Sequence, residues 1–305
     1  MSNPVAEAAV LRTVAFHEAW NYLPTTTELL DSLDVAKSGS VSWEDAERAL
    51  DGLVRSGELL LDADRVGLPA TFADRLFELH ERDPLQARKR RRAVRIARYL
   101  SRLSGVRFVA LANTTALGTA RDGSDLDFFV IVRAGTIWST RLLSAGLFKL
   151  AGLLPKGDEI PDAVCLSYFI ADDALDLSSH ALPDGDPYFR QWFLALLPLF
   201  DDGISQELWD ANSLLRQRHP FARRWIVPPD LHISTPRLRI PTARPIEALA
   251  RGFQLRWFPA EIKQRMNQDT TVIVTDQALK FHVGDGRVWY RDRQATICHE
   301  FGIDV

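Results

Sequence analysis

Apolar residues at positions 10, 11, 14 and 15 recur at helical spacing near the start of the chain, and Tyr22-Leu23-Pro24 closes that run. Thr25 stands three residues before Glu28 and Ser42 three before Asp45, so each offers a capping hydroxyl with an acidic partner in the first turn. Two more helices are therefore predicted, over 26–33 and 43–56, the second stopped by Gly57. Residues 58–61, 62–64 and 65–68 read as strand, turn and short strand. Ala93, Ile96, Ala97, Leu100 and Leu103 then form an apolar helical stripe along the segment 85–102 and just past its end. A strand-type run over 106–111 follows, then a polar turn with a short helix, and a second, strongly β-prone run up to Val132. The stretch 136–154 is helical and mostly apolar, 163–170 is a third strand, and the aromatic run 187–200 reads as a helix packed on the sheet. Further helices are expected over 206–218 and 246–266, separated by a proline-marked extended stretch from Pro228-Pro229 to Pro245.

Strands embedded among helices predict an α+β fold in two or three units, which 305 residues can accommodate. Three helices and a small hairpin predict a winged helix at the N-terminus. Its third helix carries Glu44, Asp45, Glu47 and Asp51 against Arg48 and Arg55, a balance that repels phosphate and favours protein docking over DNA reading. Basic charge gathers instead over 85–102, at Arg88, Lys89, Arg90, Arg91, Arg92, Arg95, Arg98 and Arg102; this reads as a solvated basic face or as an attractor for a polyanion.

Composition adds exclusions. A charge of −3, 46% hydrophobic and 25% charged residues describe an ordinary globular chain, so bulk charge announces no nucleic-acid partner; nucleic acid stays open but not favoured. Cys165 and Cys298 lie far apart, which supports neither a disulfide framework nor a zinc site and points to a cytoplasmic setting. The first ten residues lack the basic flank and apolar core of a secretory signal. Arg141 and Lys149 interrupt the apolar stretch 136–154 well short of the roughly 20 residues a membrane span needs, so no membrane partner is expected.

The chemistry concentrates in Arg121-Asp122-Gly123-Ser124-Asp125-Leu126-Asp127-Phe128. Alternation along a strand puts Asp125 and Asp127 on one face and Leu126 and Phe128 on the other. Neighbouring carboxylates can share divalent cations, and Mg²⁺ bridges such oxygens to substrate phosphates. Residues 109–132 resemble the signature of the polymerase-beta-type nucleotidyltransferase superfamily: Asn113-Thr114 after a first strand, ten intervening residues, then Asp125-Leu126-Asp127-Phe128 on the second. The segments 11–16, 141–143, 164–169 and 279–282 also resemble a largely uncharacterised bacterial family that joins a winged helix to a nucleotidyltransferase domain and a helical C-terminal region.

That resemblance implies a winged helix over 1–82, a nucleotidyltransferase domain with a mixed sheet and a leading basic helix over 83–200, and a helical C-terminal region over 201–305. It implies two Mg²⁺ ions and a nucleoside triphosphate, with ATP as the expected donor and an unknown hydroxyl of a small molecule or protein as acceptor. Asp125 and Asp127 are then the catalytic and metal-binding pair. Asn113, Thr114, Ser124 and Arg121 are the candidate nucleotide contacts, with Ser124 also fixing the turn before the pair. Two positions depart from the superfamily. Asn113 and Thr114 replace glycine and serine, although asparagine tolerates a left-handed backbone and threonine keeps a hydroxyl. The strand over 163–170 lacks the third carboxylate that active members commonly carry; Ser167 stands where an acid is expected, and Asp162 at the head of the strand is the candidate third ligand. The alternative is a catalytically reduced nucleotide-binding protein, or a winged-helix regulator that holds DNA or a protein partner. His282 reads as a hydrogen-bonded structural histidine, and Cys298-His299 lacks further ligands at metal spacing.

Overall fold

The computed structural model describes residues 3–36, 39–150, 162–236, 238–242 and 244–303. Helix α1 (Pro4–Ala19) starts where the Asn3 side chain accepts the Val5 N–H and Pro4 occupies the first turn. Helix α2 (Thr26–Asp31) opens on a complete capping box between Thr25 and Glu28. Helix α3 (Trp43–Ser56) is capped by Ser42 and stopped by Gly57 at φ 80°, a conformation that favours glycine. Strands β1 (Leu60–Asp62) and β2 (Arg65–Gly67) pair antiparallel. Leu11, Val14, Leu30, Leu50, Leu53 and Val66 fill the core among these elements.

Helix α4 (Phe72–Leu100) begins well before the expected 85 and runs unbroken through position 82/83, where the sequence suggested a boundary. Pro84 lies inside it. Both Pro84 and His80, whose carbonyl loses its helical partner there, are exposed, so water can replace the missing bond.

The chain then builds β3 (Val106–Leu111), α5 (Asn113–Leu117), β4 (Leu126–Val132), α6 (Ile137–Leu150), β5 (Val164–Ala171), α7 (Pro187–Leu194) and β6 (Leu197–Asp201). Helices α8 (Ser205–Ala211), α9 (Ser213–Arg216), α10 (Glu247–Trp257) and α11 (Ala260–Arg265) precede strands β7 (Val272–Val274) and β8 (Ala278–Phe281) and helix α12 (Arg287–Glu300). The fold is α+β, with a six-stranded mixed sheet in the order β6-β3-β4-β5-β8-β7. Among the described strands of this sheet, only the β4–β5 pairing is parallel.

Alternation divides the strands as the sequence predicts. Leu126, Phe128, Val130 and Val132 pack with α4 and α6 on one side, where Ala93, Ile96, Leu100 and Trp138 are buried. Phe129 and Ile131 pack on the other against Phe189, Trp192 and Phe193 of α7. Most of the apolar stretch 136–154 is α6; its last four residues lie outside the described ones. Among the described residues no helix is long and apolar enough to cross a membrane.

Two expectations are corrected. The run 187–200 is not one helix: α7 ends at Leu194 and the chain becomes β6. Pro198 has no N–H for a helix, and β6 is an edge strand paired only with β3, where proline is tolerated. The C-terminal third is not only helical: β7 and β8 extend the sheet, with Tyr168 opposite Lys280 and Phe169 opposite Leu279. Both strands are too short for their periodicity to separate strand from helix.

Candidate functional site

The sheet delivers the two carboxylates to the open end of its central strands. The Ala112 N–H donates to the Asp127 carbonyl at 3.0 Å, and the Leu126 N–H to the Ala163 carbonyl at 2.7 Å, so β4 is held from both sides where the pair sits. Asp125, Asp127 and Cys165 each offer a ligand atom within 4.8 Å of the others. Cys165 lies opposite Asp127 in the parallel register, which brings the thiol to the carboxylates.

Electrostatics confirm the crowding. Burial and then the neighbouring Asp125 charge push the half-buried Asp127 carboxyl up to about 6. Burial also raises Asp125, with the Lys89 charge pulling the other way. The Cys165 thiol stands well above its ordinary range, first through burial and then through the two carboxylates, so it stays protonated. Two oxygens of like charge with no cation paired to them among the described residues suit a hard divalent ion; a protonated thiol does not.

Asn113 adopts φ 53°, the left-handed conformation that glycine usually provides. Its side chain hydrogen-bonds Asp127, and its Oδ1 accepts the Tyr188 hydroxyl at 3.0 Å. Tyr188 in turn stacks on Trp20, which caps the C-terminus of α1, at 4.8 Å and meets Tyr290 of α12 in a tilted contact at 5.0 Å, tying the cleft wall to the first and last helices.

The cleft, about 270 Å³, takes in Asn113, Asp125, Asp127 and Cys165 on one side. Tyr168, Tyr188, Phe189 and Trp192 line its aromatic wall, and Lys280, His282, Asp285 and Arg287 close it. A bulge in β5 shapes its floor. Asp127 faces Cys165 and Phe129 faces Tyr168, so β5 supplies one residue more than β4 over this step. Ser167, two residues after Cys165, lies on the same side by ordinary alternation, and its Oγ meets His282 Nε2 at 2.9 Å; the extra residue returns Tyr168 to that side as well. Burial lowers His282 to about 4, keeping the imidazole neutral. A serine and a neutral histidine thus occupy the place where a third acid was expected.

The remaining candidates are not gathered into the cleft. Asp162, expected as a third metal ligand, is instead buried against α4. Its Oδ1 accepts from Lys89 Nζ at 2.7 Å, with Arg88 and Arg92 at 3.6 and 3.8 Å. The cation-rich helix claims this carboxylate before a metal could. Ser124 closes the turn, accepting the Arg121 N–H on its Oγ at 2.9 Å and Lys89 Nζ on its carbonyl at 2.5 Å. Arg121 is exposed on that turn. Thr114 accepts the Thr119 N–H through its carbonyl at 2.8 Å. None of Thr114, Ser124 and Arg121 lines the cleft.

Sequence reasoning missed Cys165 and Tyr188, and it read 280–287 only as a short loop bearing polar groups, without assigning Lys280, Asp285 or Arg287 to the site; residues 280 and 281 in fact belong to strand β8. Only strand pairing could have found Cys165, and nothing local ties the others to the carboxylate pair, which lies more than fifty residues away along the chain. No protein-family model matches the chain, and comparisons with curated proteins and with solved structures find no match.

Proposed function

We propose that this protein is a Mg²⁺-dependent nucleotidyltransferase that moves a nucleoside monophosphate from a triphosphate, with ATP as the expected donor, to a hydroxyl of a small molecule or protein. The observation that carries the reading is the half-buried pair Asp125 and Asp127, which share one cleft with raised pKa values and no cationic partner among the described residues. Divalent ions held by these oxygens would supply Lewis-acid neutralisation of the triphosphate charge and a more acidic attacking hydroxyl. The chain's own residues do the positioning. Asn113 orients Asp127 while Tyr188 holds Asn113. Phe189 and Trp192 give the cleft a dry aromatic wall.

The order β3-α5-β4-α6-β5, with an antiparallel and then a parallel pairing, supports the resemblance drawn from the sequence. Three helices and a hairpin support a winged-helix unit before it. The exposed Glu44, Glu47 and Asp51 of α3 favour a protein over DNA as what that unit meets. A second reading, nucleotide binding without transfer, is favoured by one observation: the third group beside the pair is the thiol of Cys165.

The test titrates each nucleoside triphosphate into wild type and Asp125→Asn/Asp127→Asn calorimetrically, with and without Mg²⁺, beside an assay of pyrophosphate release. Metal-dependent binding that the double variant loses, together with pyrophosphate release, supports transfer. Metal-dependent binding without release moves the weight to the second reading. Absence of binding by any triphosphate would falsify both.

A further inference from the structure

Lys280 is a buried amine facing the cleft without a counter-ion. It is 1% exposed, lies in the sheet opposite Tyr168, and lines the same cavity as the carboxylate pair. Its Nζ reaches the His180 carbonyl at a long 3.4 Å and otherwise sits over the rings of Tyr168 and Phe189, at 5.5 and 5.1 Å. An ammonium has three donors, and burying its charge is costly unless it is paired. The nearest carboxylates are already engaged. Arg287 holds Asp186 at 3.0 Å and Asp285 at 2.6 Å, and donates to the same His180 carbonyl at 2.8 Å. Among the described residues, then, no carboxylate lies within ion-pair distance of Lys280, and the compensated Arg287 stands beside it as a second cation.

We propose that Lys280 is the anchor of an anion subsite in this cleft, one that takes a phosphate or carboxylate group of a bound molecule. A buried donor with two unused N–H directions on a cavity wall is completed by a ligand oxyanion, which restores both the hydrogen bonds and the charge balance. The two ring faces hold the ammonium in place until the anion arrives. Burial and the Arg287 charge lower this amine to about 7, as expected for a cation that lacks its partner. The subsite deepens the transferase reading, because the anion belongs either to the nucleotide's own phosphates or to the acceptor. Its chemistry does not depend on the metal pair.

The test is therefore run without metal. Phosphate, pyrophosphate and succinate are titrated in EDTA into wild type, Lys280→Met and Asp125→Asn/Asp127→Asn, with thermal melting to confirm that each is folded. Wild type and the double variant are expected to bind at least one anion, and Lys280→Met to bind it about tenfold or more weakly, the loss of one charge-assisted hydrogen bond. Lys280→Gln repeats the comparison in case the methionine variant misfolds. Competition between that anion and a triphosphate assigns the subsite to the nucleotide, and simultaneous binding assigns it to the acceptor. Equal affinity in the Lys280 variants, or no anion binding by folded wild type, overturns the proposal and leaves the transferase reading untouched.

Discussion

Asn113 serves two constraints with one side chain. Its backbone stands at φ 53°, where an L-residue with a bulkier side chain is strained, and its amide links Tyr188 to Asp127. The two contributions separate by substitution. Asn113→Gly keeps the backbone and loses only the hydrogen bonds, whereas Asn113→Ala loses both. Urea unfolding is expected to place the alanine variant about 1 kcal/mol below the glycine variant, the left-handed penalty of a Cβ. The glycine variant should lie about 1–2 kcal/mol below wild type for the bonds lost, and the alanine variant therefore about 2–3 kcal/mol below. An alanine variant as stable as the glycine one would show that the backbone relaxes out of this conformation. At this scale the sequence was informative: the left-handed tolerance of Asn113, twelve residues before the first acid of an Asp-hydrophobic-Asp strand, was legible because a positive φ and an alternating strand are local properties.

Helix α4 shows what an element does that its residues do not announce. Its arginines read as a solvated face or as an attractor for a polyanion, and Arg91, Arg95 and Arg98 are exposed, as is Arg102 just past its end. Lys89, in the middle of the same run, is fully buried. Its ammonium bonds Asp162 at 2.7 Å and the carbonyls of Asp122 and Ser124 at 3.2 and 2.5 Å, clamping α4 to the turn before β4 and the head of β5. Removing it strands a buried carboxylate with only the longer contacts to Arg88 and Arg92. Lys89→Ala should therefore cost about 2–4 kcal/mol in urea unfolding, several times the effect of Arg95→Ala on the exposed face. Because the clamp ends at Ser124, the variant should also weaken the Mg²⁺-dependent nucleotide binding proposed for the cleft, measured in the same titration as the carboxylate variants. Equal costs for Lys89 and Arg95 would reduce the clamp to an ordinary surface pair.

Across the whole molecule the two ends of the chain meet. Helix α12 lies along α1, where Gln294 donates to the Arg12 carbonyl at 3.1 Å, and Trp20, Tyr188 and Tyr290 stack beside the cleft. This packing buries titratable groups throughout. Burial lowers His17, His180, His219 and His282 to about 4, below the 6.5 of an exposed imidazole. At these four positions the unfolded chain therefore binds more protons than the native one between those values, so the contribution of the histidines to stability is full above about pH 6.5 and falls as pH drops towards 4. Asp127, raised to about 6, acts in the opposite sense over part of that window, as do Asp31 and Asp125, whose carboxyls burial also raises, three carboxyls against four imidazoles. Urea unfolding from pH 7 to pH 4.5 should show a net loss on the order of several kcal/mol. A flat profile would mean that these histidines are charged in the native protein.

The sequence by itself determined the local features: the caps at Thr25 and Ser42, the alternation that sends Leu126 and Phe128 to one face and Asp127 to the other, and the pair of acids where a strand begins. Each depends on backbone geometry within a few residues, so periodicity and side-chain chemistry suffice to read it. Tertiary structure decided the rest. Asp162 went to Lys89 because α4 happens to cross the head of β5, a contact spanning 73 positions. Strand β8, only Ala278–Phe281, is too short to declare itself, yet its pairing with β5 brings Lys280 and His282 to the carboxylates. One extra residue in β5 put Tyr168 on the cleft side, opposite Phe129. Such placements follow from which distant strands pair and in what register, and that is settled by burial of the whole core rather than by any stretch of the chain.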